Sequence, residues 1–125
     1  MYKRQEIDEE IIDLASTYSL PNISSQVNTI QANAEVYVEL CHERFDMICI
    51  DLFIGQKTPE VFRSMSFLES VAGLLNEGGI VIYNTIAFTK EDLALSQSFY
   101  NDVFRHVFPQ GRSIPAHKNL MLLNR

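Results

Sequence analysis

The chain has no tryptophan, only two cysteines, and no glycine before Gly55. Its early part therefore holds no turn in which a missing Cβ lets backbone press closely against a ligand. Positive charge is also scarce: ten Lys and Arg stand against sixteen Asp and Glu, a net charge of -6, and no basic cluster exceeds the Lys3-Arg4 pair. A nucleic-acid backbone needs an electropositive face that this chain does not offer. No apolar run approaches the length of a membrane span, and the start, Met-Tyr-Lys-Arg-Gln-Glu, lacks the apolar stretch of a signal peptide, so a cytoplasmic setting is expected. Cys41 and Cys49 show neither Cys-x-x-Cys spacing nor a nearby His pair suited to zinc, and buried free thiols are expected. His42, His106 and His117 are scattered, which gives no support to a His-based metal or nucleophile site, and Ser24-Ser25 lacks the strand-turn-helix elbow of a hydrolase.

What remains is an ordinary globular composition, 46% hydrophobic and 21% charged over 125 residues, which predicts one domain over residues 1–125. Its organising stretch is Phe45-Asp-Met-Ile-Cys-Ile-Asp-Leu-Phe53. The apolar run from Met47 to Ile50 is too short for a helix and has no polar alternation, the pattern of a parallel strand buried on both faces. It is predicted as the central strand. Asp51 follows where that strand runs out, and in open α/β sheets ligands bind outside the carboxyl ends of the strands.

Around it, a strand is predicted over 2–7, then a helix over 9–19 capped by Asp8, with Ile11, Leu14, Ala15 and Tyr18 on one face and Pro21 ending it. A polar strand over 23–31 precedes a helix over 34–42, capped by Asn33 and burying Val36, Tyr37 and Leu40. Thr58-Pro-Glu60 starts the strongest helical stripe, Val61, Met65, Leu68, Ala72 and Leu75, which Gly78-Gly79 ends before an apolar strand over 80–83. Thr89-Lys-Glu-Asp92 resembles a capping box opening a helix to about residue 104. Residues 105–108 are predicted as a strand, Pro109-Gln-Gly111-Arg as a turn and 119–124 as a closing strand. Such alternation implies a mainly parallel α/β sheet with helices on both faces.

The residues Glu6-Ile-Asp-Glu-Glu-Ile-Ile-Asp-Leu-Ala-Ser-Thr-Tyr-Ser-Leu-Pro21, the segment from Phe45 to Pro59, and Phe67-Leu-Glu with Leu75-Asn-Glu-Gly-Gly-Ile-Val-Ile-Tyr-Asn84 together resemble spermidine synthase-like proteins. These are members of the class I S-adenosylmethionine-dependent methyltransferase fold. The resemblance implies a Rossmann-like methyltransferase sheet with an antiparallel last strand, here introduced by Asn119. The family's first strand and glycine-rich turn would precede Tyr2, so the domain is expected to be truncated at its N-terminus. That strand lies centrally in the family's sheet, and a homodimer that shields the exposed edge is one expected remedy.

By the same resemblance Glu6, with Ile7 beside it, corresponds to the acid that accepts hydrogen bonds from the ribose hydroxyls of S-adenosylmethionine or its decarboxylated form. A carboxylate is acceptor-only and a vicinal diol offers two donors. The bland reading of Glu6 is a surface acid before an N-cap. Asn33-Ala34 stands where the family has Asp-Ala beside the adenine, and Asn33 also reads, by a slight preference, as a plain helix cap. Asp51 matches the first acid of the family's Asp-x-x-Asp segment, a general base toward an attacking amine; it also reads as a structural strand-end acid. Ile54 replaces the second acid, which removes half of the negative charge that pairs with a polyamine. Leu52, Tyr83 and Asn84 stand at strand ends, either lining the same crevice or packing and capping the sheet. Glu6 and Asp51 are expected at the same rim of one parallel sheet, within reach of one nucleoside-sized ligand.

The activity implied is at most methyl or aminopropyl transfer. Two other classes stay open. One is a degenerate assembly or binding module without catalysis. The other is a response-regulator receiver domain with Asp51 as phosphoacceptor and Thr85 as its hydroxyl, for which Lys118 comes too late in the chain.

Overall fold

Asp8 accepts a hydrogen bond from the Glu10 amide at 2.9 Å and opens α1, Glu9–Leu14, as its sequence position predicts. The structure is a computed structural model that describes residues 1–125, and its contacts divide it into two units, Met1–Leu40 and Cys41–Arg125.

In the first unit, β1 (Tyr2–Glu6) and β2 (Val27–Gln31) pair in parallel, from Tyr2 opposite Val27 to Glu6 opposite Gln31. The predicted helix over 9–19 has the right extent, but its hydrogen bonding widens from Ala15 to a π turn that ends at Ser19, before the tight turn Leu20–Asn22 that carries Pro21. The predicted strand over 23–31 shortens to β2. Helix α2 spans Ala34–Leu40. The apolar stripes expected in the core are largely open here: Ile11, Leu14, Tyr18, Val36 and Leu40 are all exposed, and Ala34 alone in this unit is buried. A two-stranded sheet with short helices has too little surface to cover them.

The second unit holds β3 (Phe45–Ile50), α3 (Met65–Gly73), β4 (Leu75–Ile86), α4 (Lys90–Phe99), α5 (Arg105–Val107), β5 (Arg112–Ala116) and β6 (Asn119–Leu123). Its four strands lie in the order β3-β4-β6-β5. β3 and β4 are parallel, whereas β6 runs antiparallel to both its neighbours, as expected of the closing strand. β4 and β6, not β3, are therefore the strands with partners on both sides. Ile48 and Ile50 pair with Val81 and Tyr83 and share their covered face, while Met47 is 53% exposed and Cys49 is exposed on the other. The expectations of a doubly buried β3 and of buried thiols are corrected: the apolar run is continuous in sequence, but only alternate residues receive cover. Cys41 is half-buried.

The predicted helix from Thr58 breaks in two. A tight turn, Glu60–Arg63, stops at Ser64, whose extended backbone lets its hydroxyl accept from the Phe67 amide at 3.2 Å and so restart the chain as α3. Gly78-Gly79 does not end this helix but lies within β4. A Cβ at Gly79 would stand 2.9 Å from the Asn76 carbonyl oxygen and 3.2 Å from that of Phe45, beside the register shift between Phe45 and Met47. The capping box of α4 forms as predicted, with Thr89 and Asp92 each accepting the other's amide at 3.0 Å. The segment over 105–108, predicted as strand, is helical through Val107 because it carries the aromatic stripe of α4 onward: Phe99, Phe104 and Phe108 stack in series at 6.3 and 5.0 Å. The strand beside β6 instead starts at Arg112, within the segment predicted as a turn. Leu68, Val71, Val81, Tyr83, Phe104 and Leu122 are wholly buried and form the core. No helix is long and apolar enough to cross a membrane.

Candidate functional site

Parallel strands end at a common edge, so β1 and β2 bring Glu6, Ile7, Asn33 and Ala34 to one rim of the first unit. The Ala32 amide donates to the Glu6 carbonyl at 2.9 Å, and the Gln5 side-chain amide donates to the Ala32 carbonyl. Glu6 Oε1 accepts the Ile7 and Asp8 amides at 2.8 and 3.1 Å. These bonds turn the carboxylate back over the strand end and fix it, while its other oxygen takes no part in them. Beside it Ile7 is 61% exposed, a bare apolar side chain against which a flat ring can pack. Asn33 Oδ1 accepts the Glu35 amide at 2.8 Å, so its helix-cap role is realised, and Ala34 is buried behind it. The rim thus offers a held acceptor, an apolar surface and an amide, the groups that a vicinal diol and a heterocycle use.

In the second unit, Asp51 follows β3 and Oδ1 accepts the Asn84 side-chain amide at 2.9 Å. Asn84 Oδ1 in turn accepts from Asn119 Nδ2 at 2.7 Å. One chain of side-chain amides therefore ties the ends of β3, β4 and β6, and it orients an exposed carboxylate. Asp51 is a hydrogen-bonded strand-end acid by geometry, and its orientation also suits a proton acceptor. Asn119 is a partner that the sequence marks only as a strand start. Leu52 is half-buried. Tyr83 is wholly buried and its hydroxyl donates to the Phe62 carbonyl at 2.8 Å, which places it among the packing residues rather than on a crevice. Burial pushes the Tyr83 hydroxyl above its usual pKa, and the Arg63 guanidinium partly offsets this. Ile54, at the second position of the acidic pair, is 76% exposed and closes a tight turn with Lys57 through amide bonds of 2.8 and 3.2 Å.

A partly open cavity of about 250 Å³ lies between that turn, the carboxyl end of β4 and helix α4. Lys57, Thr58, Arg63, Thr85, Asp92 and Ser96 contribute to its walls, whereas Asp51, Leu52, Tyr83 and Asn84 do not. Two groups needed by a receiver are engaged elsewhere. The Thr85 hydroxyl is buried and donates to the Leu120 carbonyl at 2.7 Å, and the Lys118 ammonium sits 4.5 Å from the centre of the Phe88 ring.

No protein-family model matches the chain. A polyamine aminopropyltransferase from Pectobacterium atrosepticum is 30% identical over 110 residues, which cover 78% of this chain and 38% of that protein. The structure of a probable spermidine synthase from Corynebacterium glutamicum superposes with a TM-score of 0.80 at 22% identity, over 97% of this chain and 46% of that one. Human methyltransferase-like protein 13, in complex with SAH, superposes with a TM-score of 0.77 at 23% identity, over 97% of this chain and 59% of that one. The chain spans between 30% and 38% of the length of the aminopropyltransferases it matches. The fold is the Rossmann-like methyltransferase fold, with a mixed sheet in the second unit, and the sequence resembles polyamine aminopropyltransferases, the spermidine synthases.

Proposed function

We propose that this chain is a spermidine synthase-like transferase domain that takes the nucleoside of S-adenosylmethionine, or of its decarboxylated form, at the rim of Glu6, Ile7, Asn33 and Ala34. The observation that carries the reading is the Glu6 carboxylate, anchored through Oε1 by two consecutive amides beside the exposed Ile7. The likeness to a methyltransferase-like protein in complex with SAH supports the same assignment. Asp51, oriented by Asn84, takes the general-base role in methyl or aminopropyl transfer. Residues 1–125 act as one domain, and a homodimer in the cytoplasm is part of the same proposal; sedimentation of the full chain reads the stoichiometry.

A second reading, a binding module without catalysis, is favoured by Ile54, which leaves Asp51 without the paired acid that would hold a polyamine. Calorimetric titration of the chain with S-adenosylmethionine, decarboxylated S-adenosylmethionine and methylthioadenosine separates the two. Saturable heat with methylthioadenosine, lost in Glu6→Ala, is the expected result. Silence with all three leaves only the binding module. Given binding, Asp51→Asn should keep it and lower any transfer rate by about 100-fold or more, the usual scale of general-base loss.

A further inference from the structure

The cavity beside α4 carries a net positive wall in a chain whose net charge is -6, and no part of the nucleoside reading uses it. Lys57 and Arg63 bring two positive charges to its walls, against the single carboxylate of Asp92. That carboxylate is already committed, because Asp92 Oδ2 accepts the Thr89 amide at 3.0 Å in the capping box of α4. Arg63 Nε is buried and has no hydrogen-bond partner. A buried guanidinium nitrogen without an acceptor is costly, so the Arg63 charge is not neutralised by a bond at Nε within the chain. The other polar walls are arranged accordingly. Ser96 spends its proton on the Ile86 carbonyl at 2.6 Å and Thr85 spends its own on Leu120, whereas Gln56 and Thr58 add neutral donors on the loop side. The cavity also opens at the carboxyl end of a parallel-paired strand, the edge at which α/β sheets bind ligands.

We propose that this cavity is an oxyanion site, in which the charges of Arg63 and Lys57 take a carboxylate or phosphate group of a small ligand. A free diamine, doubly positive, is repelled by the same walls. The inference does not rest on nucleoside binding at Glu6, so either can fail without the other.

The test is a titration of the full ¹⁵N-labelled chain, at constant ionic strength, with inorganic phosphate, with succinate and with 1,4-diaminobutane, following the Arg63 Nε–H signal. A saturable shift with phosphate or succinate, and none with the diamine, is the expected result; whichever anion binds more tightly identifies the source of the oxyanion. Lys57→Gln should weaken that binding by about threefold or more, as loss of a partly solvated charge partner does. Asp92→Asn keeps the cap, removes the opposing charge and should tighten binding by a similar factor. Arg63→Gln should abolish it. Because Arg63 is partly buried and its variant can fail to fold, the two exposed-side variants carry the decision by themselves. Saturation by the diamine, shifts that stay linear with every anion, or equal affinities in wild type, Lys57→Gln and Asp92→Asn would each overturn the proposal.

Discussion

Asn84 holds Asp51 by a single side-chain bond of 2.9 Å from β4, an inner strand of the four-stranded sheet, to the end of its neighbour. Its own oxygen is occupied by Asn119, so the amide cannot turn over without losing both partners. Asn84→Ala should therefore cost about 1 kcal/mol, the usual net value of such bonds where water can replace them in part. Asn84→Asp should cost more, since it sets one carboxylate against another. Urea unfolding of both variants checks the order, and an Asp variant as stable as wild type would mean that the relay does not form.

Tyr83 links the core to pH. Its hydroxyl is pushed above its ordinary value by burial, the largest cause, and Arg63 opposes this only in part. A phenol whose folded pKa exceeds the unfolded value contributes stability that is complete below about pH 10 and is lost as pH rises above it. Stability should therefore fall on the alkaline side of about pH 10 with a slope of up to ~1.4 kcal/mol per pH unit, and Tyr83→Phe should remove that slope while costing about 1 kcal/mol at neutral pH through the lost bond to Phe62. Urea midpoints between about pH 8 and 11 provide the measurement, with those limits set around the unperturbed phenol value.

The two thiols should separate kinetically. Cys49 is exposed on β3 and Cys41 is half-buried with its sulfur 4.0 Å from the Glu43 carbonyl. In the native chain a thiol reagent should modify Cys49 first, as mass spectrometry of timed digests can show. Protection of Cys49 until the chain unfolds would restore the doubly buried strand that its sequence suggests.

Alanine should act with opposite signs at two glycines. At Gly73, the last residue of α3, an added Cβ meets nothing within 4 Å, and alanine should stabilise by about 0.5–1 kcal/mol. At Gly79 the same group meets backbone oxygens that cannot swing aside, and a loss of about 1–3 kcal/mol is expected. Thermal denaturation of the two variants side by side isolates the steric term.

These positions also show what the sequence could and could not convey. Caps were legible because they are local: Asp8, Asn33 and the Thr89–Asp92 pair each act within three residues of themselves, and all three form. The parallel pairing of β3 with β4 and the antiparallel β6 also followed from the order of the elements. Burial was less legible, because an apolar run such as Met47 to Ile50 records what a strand tolerates and not which of its faces is covered. Ser64 interrupts a good helical stripe with a hydroxyl that bonds to both flanks, a competition that periodicity does not weigh. At the candidate sites, Glu6 and Asp51 were marked by chemistry and strand position. Asn119 and the Arg63 cavity were not, since each depends on a partner more than twenty residues away.

Pro115 in β5 lies opposite Leu120 of β6, on the last strand of the sheet. Proline has no peptide N–H to lend, so a further strand cannot be zipped onto that flank without a gap. At the other flank, β3 contains no proline. The two flanks of this sheet thus differ in kind: proline interrupts the outer row of hydrogen-bond donors on β5, and no residue of β3 does the same.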